Sequence, residues 1–320
     1  MEIRSQAPAG ETRSVTCSRR HALALMLGAW HWLPRGLAAA EGGAAIRLAI
    51  SESMVADVNM NDARAAMDIW VKRIAQDMNV AVEYNPKVFD TSQDILNRIR
   101  GGSVDAVALN VVEYRQVASL LDPSQVVTEA GPAGPEQYVI LVKQSSGIQK
   151  LGDLKGRRLC TLKVSKMCVA ADWLSTLLDQ GHFGQSEQFF GAMTTDNKVA
   201  RVVLPVFFGQ MDACLTSKRS FDTMCTLNPQ VARDLKVLAV SPPMVVTFYV
   251  FRKNYREVAR ERFMRGLMGL PATPAGRQLA TLFQFGELTV RDASCLAPAL
   301  TILDLAERVR GRQGAGGRKG

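Results

Sequence analysis

The side chains best placed to do chemistry lie in one loop. Lys163, Ser165 and Lys166 stand between an apolar run at residues 158–162 and an apolar-periodic segment at residues 169–178. The first reads as a strand and the second as a helix, so Ser165 and Lys166 fall where a parallel strand hands over to a helix N-terminus. Free backbone N–H groups at such a terminus favour an anion, and a hydroxyl and an ammonium beside them add donors. Anion capture is the chemistry this spacing suggests; the alternative is a Lys166 that faces solvent. Cys168 is the other reactive side chain, because a helix N-terminus lowers a thiol pKa and permits nucleophilic chemistry. No histidine is placed to assist it. His21 and His31 lie in the first forty residues, and His182 sits in Gln180-Gly181-His182-Phe183-Gly184, a helix-ending turn. Enzyme readings that need an imidazole have no support, and neither a metal nor a cofactor is implied.

The loop belongs to a longer strand, helix, strand, helix order, which is the grammar of an α/β sheet. A β-rich run at 138–142 precedes it, followed by a short helix over 148–155 that Gly156 stops. Upstream, strands are expected at 45–50, 80–84 and 104–109, with helices at 62–78 and 91–100 between them. Pro123, Gly131, Pro132, Gly134 and Pro135 mark a change of unit. Downstream come a helix at 196–208 despite Pro205, strands at 237–240 and 245–251, and helices at 256–270, 275–285 and 295–309. The two halves echo one another. Gly102-Ser103-Val104-Asp105-Ala106 matches Gly209-Gln210-Met211-Asp212-Ala213, each a helix-stopping glycine, then a hydrophobe and Asp-Ala leading into a strand. The β-rich runs at 138–142 and 245–251 are read as crossings between two units.

Composition is that of a globular chain: 47% hydrophobic and 22% charged over 320 residues, room for two domains. The net charge of +9 is concentrated at the ends. Residues 1–40 hold five basic and two acidic residues, and residues 308–320 hold five basic and no acidic ones, which leaves the rest at +1. A nucleic-acid partner would need a basic patch within the fold, and none is called for. Arg19-Arg20, an apolar run from His21 to Leu33, and Leu37-Ala38-Ala39-Ala40 together read as an export signal cleaved after about Ala40, with a twin-arginine route as one option. The Gly- and Arg-rich tail at 311–320 is expected to be disordered. Five cysteines follow the signal, an odd number in an oxidising compartment. Cys160 with Cys168, and Cys214 with Cys225, are the candidate disulfides; five unpaired buried thiols are the alternative.

Taken together, the chain resembles the periplasmic phosphate-, phosphite- and phosphonate-binding proteins of ABC transporters. The resemblance runs over about residues 45–305. It is carried by Ile50-Ser51-Glu52-Ser53, Val104-Asp105-Ala106 with Glu113-Tyr114 beyond it, and Tyr138 through Leu159. Gly209 through Ala213, Asn228-Pro229, Leu235-Lys236-Val237 and Ser241-Pro242-Pro243 complete it. It implies an α/β, type II periplasmic-binding fold: two lobes, each a mainly parallel sheet flanked by helices, joined by two crossovers, with the ligand in the cleft. The lobes would comprise residues 41–137 with 249–310, and residues 138–248. Where the family has a Ser-Thr-Ser-Gly turn, this chain has Ser165-Lys166-Met167-Cys168, so one hydroxyl remains and a lysine stands in for lost hydrogen bonds. An acidic position that meets a ligand amine in some members falls near Arg219, which argues against an aminoalkylphosphonate.

The resemblance implies ligand contacts from Ser51, Asn110, Tyr114, Ser165, Lys166 and Arg219, with Lys198 at another helix start. The expected function is capture of a small oxyanion and its delivery to a membrane permease by a monomeric, periplasmic protein. A sensor of the same fold that signals to a membrane receptor, and a Cys168-dependent enzyme, are the alternatives.

Overall fold

The computed structural model describes residues 45–55, 58–83, 91–131, 134–255, 258–282 and 285–316. The expected export signal lies outside them. Strand β1 (Ile46–Ile50) leads through helix α1 (Met60–Asp77) to β2 (Val82–Glu83). Asn59 caps α1, accepting from the N–H groups of Asn61 and Asp62. Helix α2 (Ser92–Arg100) begins at Thr91, whose side chain accepts from Asp94 N–H. Strand β3 (Ala106–Asn110) runs into α3 (Val111–Val117), then β4 (Leu121–Glu129). The chain next forms β5 (Tyr138–Lys143), β6 (Arg158–Leu162), α4 (Ala170–Gln180), α5 (Ser186–Phe189) and β7 (Ala192–Asp196). After α6 (Val199–Phe207) come β8 (Ala213–Ser217), α7 (Lys218–Leu227), α8 (Pro229–Asp234) and β9 (Leu235–Val240). Strand β10 (Thr247–Arg252), α9 (Val258–Gly269), α10 (Pro274–Leu282), β11 (Leu288–Arg291) and α11 (Ala297–Gly316) complete the order.

These strands make two sheets, one ordered β11-β4-β10-β3-β1-β2 and the other β7-β6-β8-β5-β9. Both are mixed rather than mainly parallel. Strands β1, β2 and β3 pair in parallel, as do β6, β7 and β8. Strand β10 runs antiparallel to β3 and β4, and β5 antiparallel to β8 and β9. The cause is topological, since β5 and β10 are the first strands after the chain arrives from the other sheet and enter against the local direction. The β-rich runs are thus strands within the sheets, and the crossings lie just before them. The two crossings lie side by side, with Glu136 and Met244 exchanging backbone hydrogen bonds of 2.7 and 2.8 Å.

Side chains of the first sheet divide with a period of two. Leu109, Phe248 and Val250 join a core that continues through the second sheet. Ile50, Ala108 and Phe251 face α1, α9 and α10 in a separate core around Trp70 and Phe263. Helix α11 packs on α3 from the first half and α4 from the second. Arg115 pairs with Asp304 and Glu307, Arg310 with Asp172, and Arg312 with Asp179. The helix persists to Gly316, past the point where composition predicts disorder. Arg312, read from sequence as part of a disordered tail, and Arg310 just before it are held by acids of α4.

All five described cysteines are free. The expected pairs do not form because the sheet places Cys160 opposite Cys214, on adjacent strands β6 and β8.

Candidate functional site

Strand β6 delivers Ser165–Met167 as a single 3-10 turn ahead of α4. Met167 is buried beneath it, and Tyr138 donates a 2.8 Å hydrogen bond from its hydroxyl to the Lys166 carbonyl. The turn is therefore pinned from the first strand of its own sheet, and the lysine side chain is directed toward the other sheet. Its Nζ pairs with Glu129, the last residue of β4, and lies 3.7 Å from Glu136 Oε1. Arg219, in the first turn of α7, reaches the same two acids: Nη2 is 2.9 Å from Glu129 Oε2 and 3.1 Å from Glu136 Oε1. Ser217 caps α7 by accepting from Ser220 N–H, which fixes the start of that helix. Two cations from the second sheet thus meet two carboxylates, one at the end of the first sheet and one on a crossing.

Glu136 is the strained member. Its side chain is only 5% exposed, and burial pushes its carboxyl above the ordinary value, against the pull of Lys166 and Arg219. Glu136 Oε1 lies 3.1 Å from Arg219 Nη2 as an ion pair and is otherwise buried without a hydrogen-bond partner among the described residues. A buried acceptor in that state has capacity for a donor.

The other expected contacts are spent elsewhere. Glu113 is buried, and its carboxylate accepts from the hydroxyls of Ser51 (2.6 Å), Ser53 (3.1 Å) and Ser92 (2.5 Å) and from Asn110 N–H (3.0 Å). Asn110 in turn caps α3, its side-chain oxygen accepting from Val112 and Glu113 N–H, while its amide nitrogen donates to Ser53. An internal carboxylate has taken the Ser51 hydroxyl, and Ser53 the Asn110 amide, that were expected to face a ligand. Tyr114 is buried in the core, edge-on to Phe248 with ring centroids 5.4 Å apart. Lys198 is exposed, and no bond joins its ammonium to the charged cluster among the described residues; its backbone N–H goes to Asp196.

Ser165, Lys166 and Arg219 do come together, but Lys166 and Arg219 are already neutralised. Sequence reasoning missed Glu129 and Glu136. Glu129 ends a strand that Pro123 disguised, and Glu136 follows a Gly- and Pro-rich segment read only as a boundary. Burial raises the Cys168 thiol to about 12, opposite to the lowering that thiolate chemistry requires.

A family model described as "ABC transporter, phosphonate, periplasmic substrate-binding protein" matches residues 53–294. No curated protein sequence matches the chain. Among solved structures, a Xanthomonas citri protein bound to ATP aligns with a TM-score of 0.59 at 15% identity, over 84% of this chain and 99% of that one. The binding component of a phosphonate ABC transporter from Pseudomonas aeruginosa gives 0.55 at 14% identity, covering 83% and 87% of the two chains. A Prochlorococcus marinus PhnD1 in complex with methylphosphonate gives 0.55 at 13% identity, over 83% and 98%. At these identities the structures establish a shared fold.

Proposed function

Because the chain belongs to the phosphonate-type periplasmic substrate-binding family of ABC transporters, we propose that its ligand is a small zwitterion, an oxyanion that also carries an ammonium group. The family works with membrane permease components and is not enzymatic. One observation carries the ligand reading: Glu129, Glu136, Lys166 and Arg219 form a partly buried cluster of zero net charge. A bare oxyanion that took Lys166 and Arg219 would leave two carboxylates without counter-ions, and an uncompensated buried charge costs about 3–5 kcal/mol. A zwitterion exchanges partners instead. Its oxyanion takes the ammonium, the guanidinium and the Ser165 hydroxyl, while its ammonium takes Glu136 and Glu129.

On this reading Arg219 does not disfavour an aminoalkylphosphonate, since the acids that would receive the amine arrive from β4 and the crossing. The cluster has members from both sheets, so a bound zwitterion would bridge them. Closure would then turn on the paired crossings, and ligand would shift the open–closed balance through its preference for the closed form. Lobes of residues 41–137 with 249–310, and 138–248, are part of this reading. The division of strands between the two sheets supports this division with its second boundary before Thr247, since β10 pairs with β3 from its first residue.

Calorimetric titration with 2-aminoethylphosphonate and with ethylphosphonate tests the proposal, because the two differ only by the amine. The amine should tighten binding by at least about tenfold, the effect of one charge-assisted hydrogen bond. Glu136→Gln should erase most of that difference. Equal affinity for the two ligands would reject the zwitterion, and silence from both would reject the phosphonate class.

A further inference from the structure

The charged cluster continues into an apolar cavity. A void of about 80 Å³ lies in the core of the first lobe, between the sheet and α1, α9 and α10. Glu129, Ser165 and Lys166 contribute to its lining, and so do Trp70, Leu267 and Leu279. The same residues therefore border both the ion cluster and the void. Protein interiors are close-packed, so a cavity of this size beside a binding site needs an occupant or a reason. The lining mixes apolar walls with the polar side chains of Thr128, Glu129, Ser165, Lys166 and Thr247, so it suits an occupant that is part apolar and part polar.

Trp70 supplies a second, independent observation. It is 1% exposed, yet its indole Nε1–H has no hydrogen-bond acceptor among the described residues. Buried donors in native structures are nearly always paired. Tyr249 also lines the void, 6.3 Å from Trp70 between ring centroids. Burial raises its phenol to about 12, so it stays a neutral hydroxyl at physiological pH. The cavity thus offers mostly apolar walls, one unsatisfied donor and several hydroxyls, that of Tyr249 among them.

We infer that this cavity receives an aliphatic arm of the ligand, bearing an oxygen that accepts the Trp70 N–H. The inference rests on the zwitterion reading above, which seats the charged head at Glu129, Glu136, Lys166 and Arg219. The arm is short. The void is about half the ~150 Å³ that accommodates a benzene ring, which leaves room for a few carbons and excludes an aromatic group. The ligand class is therefore an amphipathic aminophosphonate with a small aliphatic substituent.

Calorimetry on the mature protein with 1-aminoalkylphosphonic acids, from no side chain to pentyl, reads the cavity directly. Affinity should rise roughly fourfold per methylene, the effect of burying one CH₂, and then level off once the void is full. Leu279→Phe, with folding checked by its melting curve, should flatten that rise. Trp70→Phe should remove the preference for an arm with a terminal hydroxyl over the plain alkyl arm. A flat series in a protein that binds aminomethylphosphonate overturns the cavity and leaves the zwitterion reading intact. If no aminophosphonate binds, the zwitterion reading fails and uncharged 1-butanol decides the cavity. A saturable change in tryptophan emission that Trp70→Phe abolishes supports it, and no saturable change overturns it.

Discussion

The two halves of the molecule carry the same staple in different surroundings. In the first, Asp105 stands just before β3 and accepts from Arg47 on β1 through the backbone N–H (3.0 Å), Nε (2.8 Å) and Nη2 (2.8 Å). In the second, Asp212 stands just before β8 and accepts from Arg158 on β6 through the backbone N–H and Nε, both at 2.9 Å. Each aspartate follows a glycine in the left-handed region, Gly102 at φ 62° and Gly209 at φ 75°. The sequence echo between the halves is thus a repeated physical device, a carboxylate that clamps two parallel strands in register.

The copies differ in burial and in a third partner. Asp105 is 3% exposed and also receives Arg252 Nε from β10 at 2.8 Å, whereas Asp212 is 22% exposed. The register puts Phe251 opposite Ala106 and Val142 opposite Ala213, so the residue on β5 equivalent to Arg252 is Lys143. No bond joins Lys143 to Asp212 among the described residues. Burial alone would raise the Asp105 carboxyl, but the hydrogen bonds from Arg47 and Arg252 outweigh it and hold it at about 2. The charged cluster at the site is a third arrangement. Of its acids Glu136, 5% exposed, is nearly as buried as Asp105 and Glu129, at 11%, less so, yet Glu136 keeps an oxygen without a hydrogen bond.

The comparison can be broken at its stronger end first. Asp105→Ala strips two arginines and a backbone N–H of their acceptor and should cost about 3 kcal/mol in urea denaturation. Acid acts next. The Asp105 carboxyl is depressed only in the folded chain, so its stabilisation is complete above the unfolded pKa. It is lost as pH falls from about 4 toward 2, worth about 2 kcal/mol. A denaturation series across that window should show the loss in the wild type and less of it in Asp105→Asn. Glu136 acts with opposite sign: its folded pKa is raised, so its contribution is present below the unfolded pKa and lost as pH rises through the folded value. Asp212→Ala, at the more exposed staple, should cost only about 1 kcal/mol. Lys143→Arg would give the second staple the third partner it lacks, and a gain of about 0.3 kcal/mol in the same assay would show that the partner, beyond burial, separates the two.

Much of the fold was legible because its signals are local. Strands β1, β5 and β6 and helices α1, α2 and α4 fall within a few residues of where apolar periodicity and caps put them. Three strands were not legible: β11 is a four-residue edge with no buried face, and the other two have reasons of their own. Strand β4 contains Pro123, which falls within the irregular stretch between Leu121 and Val126 where the ladder to β10 shifts, so its missing N–H costs little. Strand β7 is an edge with mostly exposed side chains, so it shows no apolar alternation.

By itself, the sequence determined the α/β grammar, the family, the repeated Asp-Ala device and the placement of Ser165 and Lys166 at a strand-to-helix turn. It could not determine what those cations face. Glu129 lies 37 residues before Lys166 and 90 before Arg219, and the acids meet the cations only because the sheets bring β4 and the crossing against α7 and the turn after β6. Glu113 likewise claims Ser51 across 62 residues and so removes it from the ligand's reach. Periodicity is set by neighbours along the chain. Charge compensation is set by neighbours in space, and there the tertiary structure set two acids against the two cations that the sequence showed without partners.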